Sequence, residues 1–127
     1  MNAAGFLAVG LGAILGAWTR WGLGVALNAV VPALPLGTLV ANLAGGYLIG
    51  AAVESVLQLQ LVSAEWRLFI ITGFLGGLTT FSTFSAEAVE LLAAQRYGWV
   101  LLHVGSHLVG SLLMTMLGIW SVRALAG

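Results

Sequence analysis

The fold class predicted by this 127-residue sequence is an all-α membrane protein, with four transmembrane helices per subunit and the third broken near its centre. Three observations carry that expectation. Hydrophobic residues make up 61% of the chain and charged residues only 6%, with a mean hydropathy of +1.09, whereas a soluble domain of this size carries about 25% charged residues. At about 20 apolar residues per span, the length suits one domain over residues 1–127 holding four spans and short loops. The third apolar stretch is interrupted by paired glycines and a run of hydroxyl residues, a poor sequence for a continuous helix. The same composition excludes other classes. Four arginines balance four glutamates, with no lysine, so there is no basic patch for nucleic acid. The absence of cysteine excludes disulfides and thiolate metal sites.

The few charges serve as topology markers: Arg20, Glu54, Glu65, Arg67, Glu87, Glu90, Arg96 and Arg123. The first span is predicted at about residues 4–22. It has no basic leader and runs straight into Arg20, so it does not read as a cleaved signal peptide. From Trp21 to Val53 there are 33 uncharged residues, which as one helix would reach about 50 Å, too long for a hydrocarbon core of about 30 Å. Pro32 and Pro35 break it, leaving a second span at about 36–57. A loop over 58–65 leads to the third span, about 66–94. A turn at Gln95-Arg96-Tyr97-Gly98 then leads to the fourth, about 99–122. Trp66, Trp99 and Trp120 fall near span ends, as interfacial aromatics do.

Four spans place Arg67 and Arg123 on one side of the membrane and Arg20 and Arg96 on the other, an excess of 2 − 2 = 0. Orientation follows the side richer in Lys and Arg, so an even split predicts a chain that inserts both ways up. Gly5, Gly12 and Gly16 recur on one face of the first span and Gly46 and Gly50 on the second, the spacing that lets helix backbones approach closely in lipid. Such packing leaves no wide aqueous lumen, so any conduction path is narrow or lies between subunits.

The third span carries the chemistry. Its centre reads Gly73-Phe-Leu-Gly76-Gly77-Leu-Thr79-Thr80-Phe81-Ser82-Thr83-Phe84-Ser85, and a break is expected near Gly76 to Thr80. Inside a bilayer, backbone groups freed by such a break face protein, water or an ion. Phe81 and Phe84 share a helix face; they pack a core or turn their positive ring edges towards an anion. Asn42, alone in strong polarity in the middle of the second span, either bonds a neighbouring helix or offers its donors to a ligand. His103, His107, Ser111 and Thr115 form a stripe at four-residue spacing on the fourth span, which should face protein or water. The two histidines have the spacing of metal ligands, but no carboxylate or cysteine lies near them in the sequence. Arg20 either snorkels to the headgroups or attracts anions at the base of a vestibule.

Together, Gly16-Ala-Trp-Thr-Arg20-Trp21, Gly37-Thr-Leu-Val-Ala-Asn42 and the third-span motif resemble the Fluc family of fluoride channels, also called CrcB proteins. The resemblance covers nearly the whole chain. It implies an antiparallel, dual-topology homodimer of four-helix subunits in a bacterial-type inner membrane, passing fluoride passively and selectively to protect against its toxicity; no enzyme activity is implied. It also implies that a structural sodium ion is held at the dimer two-fold by backbone carbonyls of Gly76 and Thr79. Pore residues would be Phe81, Phe84 and Asn42, with a polar track of Ser82, Thr83, His107, Ser111 and Thr115, a conducting-path carboxylate at Glu87 and a vestibule arginine at Arg20. Two other readings fit four apolar spans. A small proton-coupled multidrug exporter needs a membrane-embedded carboxylate, for which Glu87 is the nearest candidate; a non-transporting helper subunit needs only the glycine faces.

Overall fold

The computed structural model describes residues 1–60 and 62–127; Leu61, inside the predicted second loop, lies outside them. Four helical stretches are long and apolar enough to cross a membrane, and they make the chain a multi-pass integral membrane protein. Helix α1, Ala3–Leu27, starts at Asn2, whose side chain accepts from Gly5 N at 2.7 Å. It runs past Trp21 and Gly22, so Arg20 sits within the helix rather than at its end. Asn28 stops it and ties the loop forward, its Oδ1 accepting from Thr38 N at 3.2 Å. Helix α2, Leu36–Leu59, begins right after Pro35, whose fixed φ of −58° suits a helix entry. It ends at Gln60 in the left-handed region, φ 53°.

The third membrane segment is made of two helices. Helix α3 (residues 64–78) opens at the Ser63 cap, with Trp66 N donating to Ser63 Oγ at 3.2 Å. Its stretch Leu68–Leu75 winds as a wider π-helix, a form concentrated at functional sites. Thr79 and Thr80 are extended, with φ/ψ of −85°/155° and −151°/118°. Helix α4, Phe81–Ala93, restarts under a cap from Thr80, whose Oγ1 accepts from Thr83 N at 3.1 Å. The expected break is thus present, but at the β-branched pair alone; Gly73, Gly76 and Gly77 stay helical. A left-handed Gln95, φ 58°, turns the chain into α5, Tyr97–Ala126, so Tyr97 and Gly98, expected in the turn, already belong to the helix.

Two glycine-lined seams hold the bundle together. In the first, α1 lies on α3: a Cβ at Gly12 would meet Phe74 N at 2.8 Å, and one at Gly77 would meet Ala13 O at 2.6 Å. In the second, α2 lies on α5, with Gly46 against the Ser111 backbone, Gly50 against Ile119 N and Gly118 against Ala51 N. The expected roles of Gly12, Gly16, Gly46 and Gly50 as close contacts are met. Their partners Gly73, Gly77 and Gly118 were not legible as contacts. Glu54 and Arg123 pin the far ends of α2 and α5, Arg123 Nε to Glu54 Oε1 at 3.0 Å. The apolar core is small, with Ala41, Leu75 and Leu78 at its centre, and large apolar side chains cover the outside of every helix, as lipid or a partner chain requires.

Candidate functional site

The break in the third segment is held by one side chain from α2. Asn42 Nδ2 donates to Thr80 O at 2.9 Å, and Asn42 Oδ1 accepts from Thr80 N at 2.7 Å. A carboxamide matches the donor and acceptor of an extended residue in this way, so both Thr80 backbone groups lost to the helix are satisfied. Asn42 Nδ2 also lies 3.0 Å from His107 Nδ1 on α5, within reach of its second hydrogen. Asn42 therefore joins α2, the break and α5, and its two donors are engaged within the chain.

Beside this clamp opens a cavity of about 470 Å³. Asn42, Gly76, Thr79, Phe81, Phe84, His107 and Ser111 all border it, so seven of the residues singled out in the sequence converge. Phe81 and Phe84 meet edge to face, ring centres 5.5 Å apart at 61°. They differ in setting: Phe84 is buried at 7% exposure, while Phe81 leaves 73% uncovered. The Phe84 ring also lies against both histidines, 5.1 Å from His103 and 4.7 Å from His107. Two further expected positions lie near the break: Thr80 Oγ1 is 3.3 Å from Ser82 Oγ, and Thr83 N is bonded to the same oxygen at 3.1 Å.

The remaining positions lie outside the cavity's lining. Thr115 sits one turn beyond Ser111 and latches α5 to α2, its hydroxyl shared between Gly46 O at 3.0 Å and Ser111 O at 2.9 Å. Arg20 Nε donates to Gly77 O at 3.0 Å, capping the last turn of α3 from α1. Glu87 Oε2 accepts from Thr38 Oγ1 at 2.8 Å, and Oε1 stands 3.6 Å from His103 Nε2, which also approaches Phe84 O at 3.3 Å. The fold thus supplies the carboxylate missing from the sequence neighbourhood of the histidines: ligand-type atoms of Glu87, His103 and His107 lie within 4.8 Å of one another. Thr38 and the Thr80 backbone were missed as site groups. Both had a signal, since Thr38 precedes Asn42 by one helical turn and Thr80-x-x-Thr83 has the form of a cap.

The carbonyls of Gly76 and Thr79 fit the hard oxygen donors a sodium ion requires. Thr80 N–H is turned to Asn42 and Thr83 N–H to Thr80 Oγ1, so neither carbonyl receives its helical donor four residues on. A Cβ at Gly76 would meet nothing nearer than Ile71 O at 3.9 Å, leaving that face open.

A polar clamp and a pair of phenylalanines at a helix break, inside four apolar membrane helices, define a membrane protein with a discontinuous helix at its candidate site. The comparisons with known proteins narrow this class. Residues 7–119 match the family described as CrcB-like protein, Camphor Resistance (CrcB). The chain is 61% identical over 126 residues to the "Fluoride-specific ion channel FluC" of Cupriavidus pinatubonensis, covering 99% of this chain and 100% of that one. It is 60% identical over 123 residues to the protein of that name from Ralstonia pickettii, covering 97% and 98%. With that of Pseudomonas paraeruginosa it shares 56% over 121 residues, 95% of each chain. The chain belongs to the CrcB family.

Proposed function

We propose that this chain is a passive, selective fluoride channel that lets fluoride leave the cell across the inner membrane, working as an antiparallel, dual-topology homodimer. The observation that carries the reading is the identity of about 60%, over essentially the whole chain, to relatives named as fluoride-specific ion channels. The convergence of Asn42, Phe81, Phe84, His107 and Ser111 on one cavity supports it.

Fluoride is small and strongly hydrated, so a narrow pore must replace its water with donors while giving chloride too little room. The edge-to-face rings present C–H edges, the positive rim of the aromatic quadrupole, without a fixed positive charge that would trap the ion. Serine and threonine hydroxyls at Ser82, Thr83, Ser111 and Thr115 continue the polar track, Glu87 borders its end, and Arg20 draws anions to the mouth. The uncovered Phe81 ring and the wide apolar exterior support a second copy that completes each path. The even arginine split supports an inverted one. The Gly76 and Thr79 carbonyls would hold a sodium ion, which would supply positive charge to oxygens that have lost their helical donors.

Fluoride efflux from proteoliposomes, followed with a fluoride electrode, tests the reading. The unmodified chain should pass fluoride and retain chloride, while Phe81→Ile and Asn42→Ala should lower fluoride efflux at least tenfold. Equal passage of chloride, or no fluoride passage at all, would defeat it.

A further inference from the structure

Among the described residues, three buried side-chain atoms find no hydrogen-bond partner: Glu87 Oε1, His103 Nδ1 and His107 Nε2. They belong to the one cluster where two histidines and a carboxylate converge. A metal ion is the first occupant to consider, since two imidazoles and a carboxylate are a familiar ligand set. The hydrogen bonds argue against it. Thr80 fixes which way the Asn42 amide points, because its N–H faces Asn42 Oδ1 at 2.7 Å and its C=O faces Nδ2 at 2.9 Å. Turning the amide over would set donor against donor and acceptor against acceptor. What Asn42 presents to His107 is therefore an N–H, 3.0 Å from Nδ1. Nδ1 must accept it, and a neutral imidazole that accepts at Nδ1 carries its proton at Nε2. His103 Nε2 likewise faces two oxygens, Phe84 O and Glu87 Oε1, and is a donor. Neither Nε2 has a lone pair to give a cation, and with His107 Nδ1 taken by Asn42 only His103 Nδ1 of the four ring nitrogens could ligate, so the two-imidazole set is lost.

We infer that Asn42 is a positioning residue that acts on the anion path through His107: it locks the imidazole in the Nε2–H tautomer, so that this buried, unpartnered N–H is a donor for the anion. The inference rests on the channel reading for the identity of that anion. His107 is 3% exposed and borders the same cavity as Phe81 and Phe84. A donor withdrawn from water and lacking a protein acceptor costs stability, and that cost is offset when an anion arrives. Phe84 packs on the ring at 4.7 Å and His103 at 4.5 Å, which holds it in place. The double contact with Thr80 gives Asn42 its leverage. A side chain held only by His107 would turn over with the ring; one pinned by a peptide group sets the ring instead.

The test is nitrogen NMR on the full chain in lipid bilayers, labelled with 15N-histidine, at about pH 8, where an ordinary histidine is neutral. Loss of one signal set in His107→Phe identifies His107. The unmodified protein should show a bare Nδ1 and a protonated Nε2, and added sodium fluoride should bring 19F close enough to dephase the Nε2 signal; sodium chloride should leave it unchanged. In Asn42→Asp the carboxylate accepts instead of donating, so the proton should move to Nδ1 and fluoride efflux should fall about tenfold or more. Thr80 O also loses its donor in Asn42→Asp, so the double variant is read as a difference: the substitution should cost clearly less efflux when added to His107→Phe than in the unmodified chain. A protonated Nδ1 in the unmodified chain overturns the inference, as does a fluoride flux with no 19F contact at Nε2, or block by micromolar zinc that His107→Phe relieves. The unmodified-chain spectrum decides the tautomer even if Asn42→Asp does not fold. A protonated Nε2 in a chain that passes no fluoride would instead sink the channel reading.

Discussion

Asn42, Thr38 and Thr80 show how much each polar atom inside an apolar bundle is constrained. Asn42 spends its carbonyl oxygen and both amide hydrogens on three groups from two other segments. Its type and depth made it stand out in the sequence, but the choice between bonding a helix and greeting a ligand depended on what faced it. Thr38 is the sole hydrogen-bond donor to Glu87 among the described residues, at 2.8 Å. Thr38→Val keeps the shape and removes the hydroxyl, so it should destabilise the protein by about 1–3 kcal/mol, the cost of a lost hydrogen bond to a half-buried carboxylate. Thermal unfolding in detergent measures this, and an unchanged midpoint would show that water replaces the hydroxyl. Thr80 caps α4 through its side chain, and Thr80→Ala should cost about 1 kcal/mol in the same assay. A cap is a local pattern, so Thr80-x-x-Thr83 was readable; the pairing of Thr80 with Asn42, 38 residues away, was not.

Between helices, the small residues decide which elements touch. Gly118 on α5 sits where a Cβ would meet Tyr47 O and come within 2.9 Å of Ala51 N on α2. Backbone cannot move aside as a flexible side chain does, so Gly118→Ala should force the two helices apart and cost about 1–3 kcal/mol. Gly10 on α1 has nothing within 4 Å of its added Cβ. Gly10→Ala should therefore be neutral or stabilise α1 by up to about 1 kcal/mol through helix propensity alone. Equal midpoints for the two variants would mean that the seam tolerates the methyl. The glycine spacing along α1 and α2 was legible because a helix repeats every 3.6 residues. The pairing of seams, α1 with α3 and α2 with α5, was not, because spacing marks a face without saying what lies against it. The broken segment teaches the same distinction. Paired glycines and threonines both lower helix propensity, yet only Thr79 and Thr80 leave the helix, since Gly73 and Gly77 are wedged against Val9 and Ala13 on α1 while Asn42 draws Thr80 away.

For the whole molecule, the eight charges and their even division bear on how the chain sits in the membrane. Equal insertion in both orientations predicts that a cysteine placed in the turn at Gln95 is labelled from one side in about half of the molecules. Labelling of all or none would refute it. Replacing Gln58 and Gln60 with lysine adds two positive charges to one side only and should shift the population towards a single orientation, read by the same labelling. Composition and periodicity alone determined the solvent, the number of spans, the stretch in which the third one breaks and the residues worth watching, because each of those depends on how apolar, how polar or how flexible a short stretch is. Tertiary structure alone decided which residues meet. It brought Glu87 to His103 and His107, gave Asn42 to Thr80, and set the tautomer of His107, because hydrogen bonding inside an apolar bundle is settled by the partner within about 3 Å, and that partner comes from another helix.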